Sequence, residues 1–248
     1  MKKILFLCFV LLSWLPAQKI TIAVSANVAY AISPLKEAFK RLHPNIKVIE
    51  IVGSSGKLTA QIRHSAPYDL FLSANMEYPN SLYKEGFAIN KPWIYAQGAL
   101  AILSSKPRNY CAELFILKDP SIDKIAIANP KTAPYGIATV EALKNAKLYK
   151  KLKQQFVYGE SISQTLIYAT GVADIGIVAK SALFSPKLSQ YKEAIHWHEI
   201  NTTLYTPIDQ GMVILKRAKD KKAVKAFYDF MKSPKAQEIL KAYGYSIP

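Results

Sequence analysis

Small residues and neutral hydrogen-bond donors are concentrated in four short segments: 24–27 (VSAN), 53–56 (GSSG), 133–136 (APYG) and 159–162 (GESI). Each has the composition of a turn that leads into a helix, where Ser and Asn commonly cap the first turn. The start of a helix also presents backbone N–H groups and the positive end of the helix dipole, which together attract an anion. One such segment is more often a helix cap than a binding site. Four together indicate a site for an oxyanion.

The hydrogen-bonding groups in these segments are almost all uncharged. Lys57 follows the second segment directly, and Glu160 is the carboxylate of the fourth. Neutral donors can hold a fully ionised oxyanion, because buried hydrogen bonds to a charge are strong. A partly protonated anion such as phosphate also needs an acceptor, and only Glu160 stands near. The composition therefore favours a fully ionised tetrahedral dianion over phosphate.

The same residues contain fragments of a catalytic pattern. Ser54 and Lys57 fit S-x-x-K, residues 25–27 fit S-x-N, and residues 131–133 approach K-T-G, the set used by penicillin-recognising acyl-enzymes. Here S-x-N precedes S-x-x-K, and the third triplet lacks its glycine. An acyl-enzyme hydrolase is therefore a distant alternative to an anion-binding protein.

Nucleotide and metal sites have weaker support. Residues 53–57 are too short for the phosphate loop G-x-x-x-x-G-K-[ST], and Leu58 stands where that loop needs a hydroxyl. His196 and His198 could share one face of a strand, but the sequence offers no evident third ligand. We therefore expect no catalytic residue and no cofactor.

Strand and helix patterns alternate along the chain and place the four segments at strand-to-helix junctions. Pro34 lies inside the first helical pattern, so that helix starts near Ser33 or is kinked. This alternation predicts two α/β lobes with mostly parallel sheets, in which ligands bind beyond the carboxyl ends of the strands. The predicted strands are 20–24, 46–52, 69–73, 93–103, 124–128, 155–158, 175–179 and 212–215, and the predicted helices are 28–42, 57–64, 75–84, 136–146, 162–170, 223–231 and 235–242.

The first seventeen residues have the layout of a secretory signal peptide. Lys2 and Lys3 precede an apolar run over residues 4–12, and a short exit ends at Ala17. We therefore predict export to the periplasm with cleavage after Ala17. Cys111 is then the only cysteine left, so no internal disulfide can form.

The net charge of +16 would suit an anionic ligand or a nucleic acid. The lysines are spread over what we interpret as solvated helix faces, at 144–153 and 216–222. Export also argues against nucleic acid as a partner.

Six blocks in order make the sequence resemble the periplasmic molybdate-binding proteins of ATP-driven molybdate transporters. The resemblance runs from about Lys19 to the C-terminus, and the order and spacing of the blocks make it specific. The blocks are ITIAVSANVA (20–29), VGSSGKLTAQI (52–62), DLFLSAN (69–75), PYGIATVEAL (134–143), GIVAKSAL (176–183) and KAFYDFMKSPKAQEILKAYGY (225–245).

The resemblance implies a set of contacts to molybdate or tungstate. They are contacts to the oxygens of the anion, not direct ligation of its metal. One branch of the family adds a tyrosine hydroxyl after the GIV strand, where this chain has Ala179. The implied ligand-binding residues are Ala26, Asn27, Ser55, Tyr135 (through its N–H group) and Ile162 (through its N–H group).

The resemblance further implies a two-lobed type II periplasmic-binding fold with the ligand in a cleft between the lobes. Residues 18–96 and 207–248 would form lobe one, and residues 97–206 would form lobe two. The lobes would close over the anion, and an ABC transporter permease in the inner membrane would recognise the closed, monomeric protein. Sulfate, thiosulfate or another oxyanion is the alternative ligand.

Overall fold

Two five-stranded sheets form the framework of residues 18–248, the part of the chain that the computed structural model describes. Their strand orders are β2-β1-β3-β10-β4 and β7-β6-β8-β5-β9. The predicted signal peptide, residues 1–17, lies outside the described residues. The strands are β1 (Gln18–Ser25), β2 (Ile46–Gly53), β3 (Leu70–Leu72), β4 (Trp93–Gly98), β5 (Leu100–Leu103), β6 (Ile125–Ala128), β7 (Phe156–Gly159), β8 (Ile175–Ala179), β9 (Trp197–Glu199) and β10 (Ile208–Ile214).

Each sheet is mixed, with one strand running against the other four. β1 is parallel to β2 and β3, whereas β10 is antiparallel to both of its neighbours, β3 and β4. In the second sheet β6 is parallel to β7 and β8, and β5 is antiparallel to β8 and β9. The reversed strands are the ones that follow a crossing from the other sheet. The prediction of mostly parallel sheets therefore holds for strand direction, although half of the pairings are antiparallel.

The helices cover both sheets and begin where the sequence offers caps. Ser161 and Ser233 each accept a hydrogen bond from the backbone N–H three residues later, at the starts of α6 and α9. Pro34 lies in the first turn of α1, where proline is tolerated, so residues 28–42 divide into a 3-10 turn and α1. The helices are α1 (Ile32–Leu42), α2 (Ser55–Arg63), α3 (Glu77–Lys84), α4 (Pro134–Asn145), α5 (Tyr149–Leu152), α6 (Ile162–Gly171), α7 (Lys180–Leu183), α8 (Lys222–Phe230) and α9 (Pro234–Ala242), with the 3-10 turn at Ala26–Tyr30.

The single strand predicted over residues 93–103 is wrong, because the chain passes from one sheet to the other at Ala99. β4 pairs with β10 in the first sheet, and β5 pairs with β8 in the second. The return crossing lies between β9 and β10. The boundary predicted at 206/207 falls in this return crossing, and the one predicted at 96/97 falls inside β4. We keep the names lobe one and lobe two for the parts built on the first and second sheets.

The C-terminal tail is tied to the first crossing. Gln97 and Ser246 exchange two backbone hydrogen bonds of 2.8 and 3.0 Å, so the tail runs beside the end of β4. Within residues 18–248, no helix has the length and apolar character needed to cross a membrane.

Candidate functional site

A small buried cavity lies where the carboxyl ends of the strands of lobe one meet the helix starts of lobe two. Its walls combine the ends of β1 and β3 with the first turns of α2, α4 and α6. None of its ten lining residues carries a charged side chain. The lining residues are Ser25, Ala26, Asn27, Ser54, Ser55, Ala74, Ala133, Pro134, Tyr135 and Ile162.

Three loops of lobe one are joined by the hydroxyl of Ser55. Its Oγ lies 2.5 Å from Ser25 Oγ and accepts a hydrogen bond from the Ala74 N–H at 3.0 Å. A hydroxyl has one proton and two acceptor positions. If Ser25 donates to Ser55, both acceptor positions of Ser55 are filled and its own proton is directed elsewhere. This arrangement suits a hydroxyl that donates to an anion in the cavity.

Three helices begin at this cavity. Ser55 is the first residue of α2, Tyr135 the second of α4, and Ile162 the first of α6. N–H groups in the first turn of a helix have no acceptor within the helix. The Ser161 side chain accepts from Gln164 N–H at 3.2 Å, so this cap does not use the Ile162 N–H. Helix starts from both lobes therefore direct partial positive charge towards one point.

The Asn27 side chain is held by lobe one itself. Its Nδ2 donates to Gln210 Oε1 at 2.7 Å and to Tyr245 OH at 2.9 Å. Gln210 Nε2 donates to the Ile208 carbonyl at 2.9 Å, which fixes the Gln210 amide and hence the orientation of the Asn27 amide. Both side-chain N–H groups of Asn27 are therefore engaged in hydrogen bonds within lobe one. Its Oδ1 is buried without a hydrogen-bond partner among residues 18–248.

The Tyr135 side chain points towards the crossing between the lobes. A Cβ placed on Gly98 would lie 2.0 Å from Tyr135 OH, so only glycine leaves room for this ring. Burial raises the pKa of Tyr135 well above its usual value, with Tyr245 as the next contribution in the same direction. The phenol therefore stays protonated at neutral pH, and its hydroxyl is buried without a hydrogen-bond partner among residues 18–248.

Four polar contacts connect the lobes around the cavity. Gly56 N–H donates to the Thr132 carbonyl at 2.9 Å, and Lys57 Nζ lies 3.1 Å from Glu160 Oε1. From lobe two, Ser163 Oγ donates to the Ala26 carbonyl at 3.0 Å and Ser181 Oγ to the Asn27 carbonyl at 3.1 Å. The first loop of lobe one is thus held by hydroxyls of lobe two.

The family model for bacterial extracellular solute-binding proteins matches residues 20–246. The chain belongs to this family. The molybdate-binding protein ModA of Azotobacter vinelandii is 36% identical over 233 residues, which cover 93% of this chain and 91% of the relative. The molybdate-binding protein ModA of Rhodobacter capsulatus is 37% identical over 195 residues, covering 78% of this chain and 75% of the relative.

The solved periplasmic molybdate-binding protein of Azotobacter vinelandii has a similar structure. It superposes with a TM-score of 0.84 at 32% identity, covering 92% of this chain and 99% of that one. The predicted two-lobed fold of periplasmic binding proteins is therefore confirmed. As in other solute-binding proteins, a cleft between the lobes is where a ligand is expected.

The structure brings all five predicted binding residues of this solute-binding protein to one cavity: Ala26, Asn27, Ser55, Tyr135 and Ile162. Ala74 was missed, although the small residues Ser73 and Ala74 follow β3 in the same way that Ala26 and Asn27 follow β1. Gln210 and Tyr245 were also missed, because their contact with Asn27 joins positions 183 and 218 residues apart.

The other candidate residues named in the sequence analysis lie outside the cavity. Lys57 and Glu160 pair with each other on the surface, and the Lys57 ammonium is thereby directed to Glu160. His196 Nδ1 accepts from the Lys192 N–H, and residues 18–248 contain no cluster of three His, Cys, Asp or Glu side chains that could hold a metal ion. Cys111 is an exposed free thiol.

Proposed function

We propose that this solute-binding protein captures molybdate or tungstate between its lobes and delivers the anion to an ABC-type permease. The two relatives named molybdate-binding protein, both above 35% identity, support this ligand. The observation that carries the proposal is the meeting of three helix starts and the Ser25–Ser55 pair at one buried cavity without a charged lining. Those are the properties of a site for a fully ionised oxyanion.

The proposed contacts come from both lobes. Lobe one would contribute the backbone of Ala26 and Asn27 and the hydroxyl of Ser55. Lobe two would contribute the N–H groups of Tyr135 and Ile162. Each is a neutral donor, and an acceptor-only dianion can use all of them at once. A smaller anion cannot reach every donor together, which would favour molybdate and tungstate over sulfate.

Capture would proceed by closure of lobe two on lobe one. The anion would gain the contacts of lobe two only when the lobes meet, so its binding would shift the population towards the closed form. Gly98 and Ala99 link β4 to β5 at one crossing and are the proposed hinge. The four contacts between the lobes form only in that closed arrangement.

We further propose a cellular setting for the protein. We place it in the periplasm after removal of residues 1–17, as a monomer that uses no cofactor and catalyses no reaction. The permease in the inner membrane would recognise both lobes in their closed arrangement. We expect the protein to have no nucleic-acid partner.

Calorimetric titration of residues 18–248 with molybdate, tungstate, sulfate, thiosulfate and phosphate tests the function. We expect one-to-one binding of molybdate and tungstate, and no heat from the other three anions at the same concentrations. Preferential binding of sulfate or thiosulfate would be compatible with the proposed closure but would overturn molybdate and tungstate as the ligands. No binding of any of the five would overturn the proposal of an oxyanion-binding protein.

A further inference from the structure

The Tyr245 hydroxyl is buried against the first loop of lobe one, yet it does not line the cavity. Its ring belongs to the C-terminal tail, and the residue is 4% exposed. The hydroxyl accepts from Asn27 Nδ2 at 2.9 Å and donates to the Asn27 carbonyl at 3.0 Å. One hydroxyl therefore fixes both the side chain and the backbone of a residue that lines the cavity.

The other groups that hold Asn27 come from distant parts of the chain. Ser181 in α7 of lobe two donates to the same Asn27 carbonyl at 3.1 Å, and Gln210 in β10 holds the other side-chain proton of Asn27. The tail itself is fixed by the Ser246 hydrogen bonds to Gln97, one residue before Gly98. Tyr245 thus connects the cavity loop to the crossing between the lobes.

Orientation of this kind matters for a backbone donor. The N–H group of Asn27 can point at an anion only if the loop keeps its backbone dihedral angles, and a short loop left free would spend binding energy on becoming ordered. Groups outside a binding site that hold its residues in place commonly determine affinity in this way.

From this geometry we infer that Tyr245 is a positioning residue that sets anion affinity through Asn27, without touching the anion. This inference rests on the proposed function. It assigns to the C-terminal tail a part in binding beyond packing on lobe one.

Tyr245→Phe is the variant that tests it, because it removes the hydroxyl and keeps the buried ring. We expect the dissociation constant for molybdate to rise about three- to tenfold, the range of one or two neutral hydrogen bonds. The matched control is Tyr243→Phe, on the same tail, since Tyr243 packs against lobe one and has no hydrogen bond to Asn27 among residues 18–248. The control should bind within about twofold of the parent.

A double-mutant cycle separates positioning from general loss of structure. If Tyr245 acts through Asn27, Tyr245→Phe should weaken binding by less in the Asn27→Ala variant than in the parent, because Asn27→Ala has already removed the side-chain half of the contact and leaves only the hydrogen bond to the backbone carbonyl of residue 27. Independent losses that multiply in the double variant would overturn the inference. So would Tyr245→Phe binding as tightly as the parent.

Solvent exchange of the Asn27 side-chain amide protons, followed by NMR in the ligand-free protein, gives a second measurement. We expect faster exchange in Tyr245→Phe than in Tyr243→Phe, and equal rates would contradict the inference even if affinity fell. Failure of the parent to bind any oxyanion would instead refute the proposed function, so the two failures are distinguishable.

Discussion

Ser25 and Ser55 share a hydrogen bond of 2.5 Å between their hydroxyl oxygens, although 30 residues separate them. Ser25 ends β1, and Ser55 begins the helix after β2, the parallel neighbour of β1. The carboxyl ends of parallel strands meet at one edge of a sheet, which is why the two side chains come together. Their contact with the Ala74 N–H adds the end of β3 to the same cluster.

Ser55→Ala should weaken molybdate binding. The substitution removes the proposed donor to a buried charge, which we expect to cost about 1.5–3 kcal/mol of binding free energy. It also leaves the Ala74 N–H without its acceptor, so the free energy of unfolding should fall by about 1 kcal/mol. Calorimetry gives the first quantity and urea unfolding of the ligand-free protein the second.

Ser105→Ala provides the control for that experiment, because Ser105 is an exposed serine of lobe two. Ser105→Ala should change neither the binding free energy for molybdate nor the free energy of unfolding measurably. Parent-like affinity in Ser55→Ala would remove Ser55 from the proposed site.

Gly98→Ala should impair closure. The new Cβ would lie 2.0 Å from Tyr135 OH, and Gly98 and Tyr135 belong to different lobes, so the overlap arises when the lobes meet. We expect the dissociation constant to rise about five- to 150-fold, which corresponds to the ~1–3 kcal/mol cost of overpacking. Calorimetry measures the affinity, and small-angle X-ray scattering at saturating molybdate measures the closure.

Two further variants sharpen the Gly98 prediction. Gly171→Ala is the matched control, since its added Cβ would meet no atom within 4 Å beyond its chain neighbours and the backbone of its own helix, and its affinity should equal that of the parent. Gly98→Ala combined with Tyr135→Phe removes the overlapping hydroxyl and should recover part of the affinity. A Gly98→Ala variant that closes and binds normally would show that contact between residue 98 and Tyr135 does not limit closure.

The sequence predicts the strand-to-helix junctions well because their residue types have local causes. Ser161 caps α6 and Ser233 caps α9 through neighbouring N–H groups, and the apolar runs of β6 and β8 are buried throughout. All four segments rich in small donors therefore reach the cavity.

What the sequence does not reveal depends on contacts between distant residues. Residues 93–103 have the pattern of one continuous strand, and that pattern does not indicate that Gly98 ends a strand of one sheet while Leu100 begins a strand of the other. The hydrogen bonds between Asn27 and Tyr245 are equally unpredictable from the sequence, because a tyrosine near the C-terminus that makes them has the same sequence pattern as one that only packs in the core.

Asn27→Asp should abolish high-affinity binding, whereas Asn27→Ala should only weaken it. A carboxylate beside the cavity would repel a dianion, and like charges in a buried site cost more than a lost neutral contact. Asn27→Ala keeps the proposed backbone donor and loses only the neutral hydrogen bonds that position it, so we expect about 0.5–1.5 kcal/mol of lost binding free energy for Asn27→Ala and a larger loss for Asn27→Asp. Calorimetry at neutral pH ranks the two variants, and the reverse order would contradict an anionic ligand.

Anion affinity should be constant between about pH 6 and 9, since Tyr135 is the only titratable residue in the lining and burial raises its pKa well above the usual value. Fold stability should decline at higher pH. Burial raises the pKa of Tyr245 from 10.0 to about 12, so its contribution is complete below pH 10 and is lost as the pH rises towards 12. Calorimetry across the lower range and thermal unfolding across the higher one check both statements. In Tyr245→Phe, the loss of stability on raising the pH from 10 to 12 should be smaller than in the parent.

The ion pair between Lys57 and Glu160 should contribute little to affinity, and its two halves should behave differently. Both side chains are more than half exposed, and such pairs are worth about 0–1 kcal/mol. Lys57→Gln removes a contact between the lobes and a positive charge near the anion, so both effects weaken binding. Glu160→Gln removes the same contact but also a negative charge, and the two effects oppose each other.

We therefore expect Lys57→Gln to bind more weakly than Glu160→Gln, with the difference shrinking as salt increases from about 0.02 to 0.5 M and screens exposed charges. Glu238→Gln is the control, because its pair with Lys235 lies within α9 and does not join the lobes. Titrations of all three variants at both salt concentrations test this order. Equal affinities of Lys57→Gln and Glu160→Gln at low salt would mean that neither charge acts on the anion, and the cavity would then attract its ligand through helix starts and neutral donors alone.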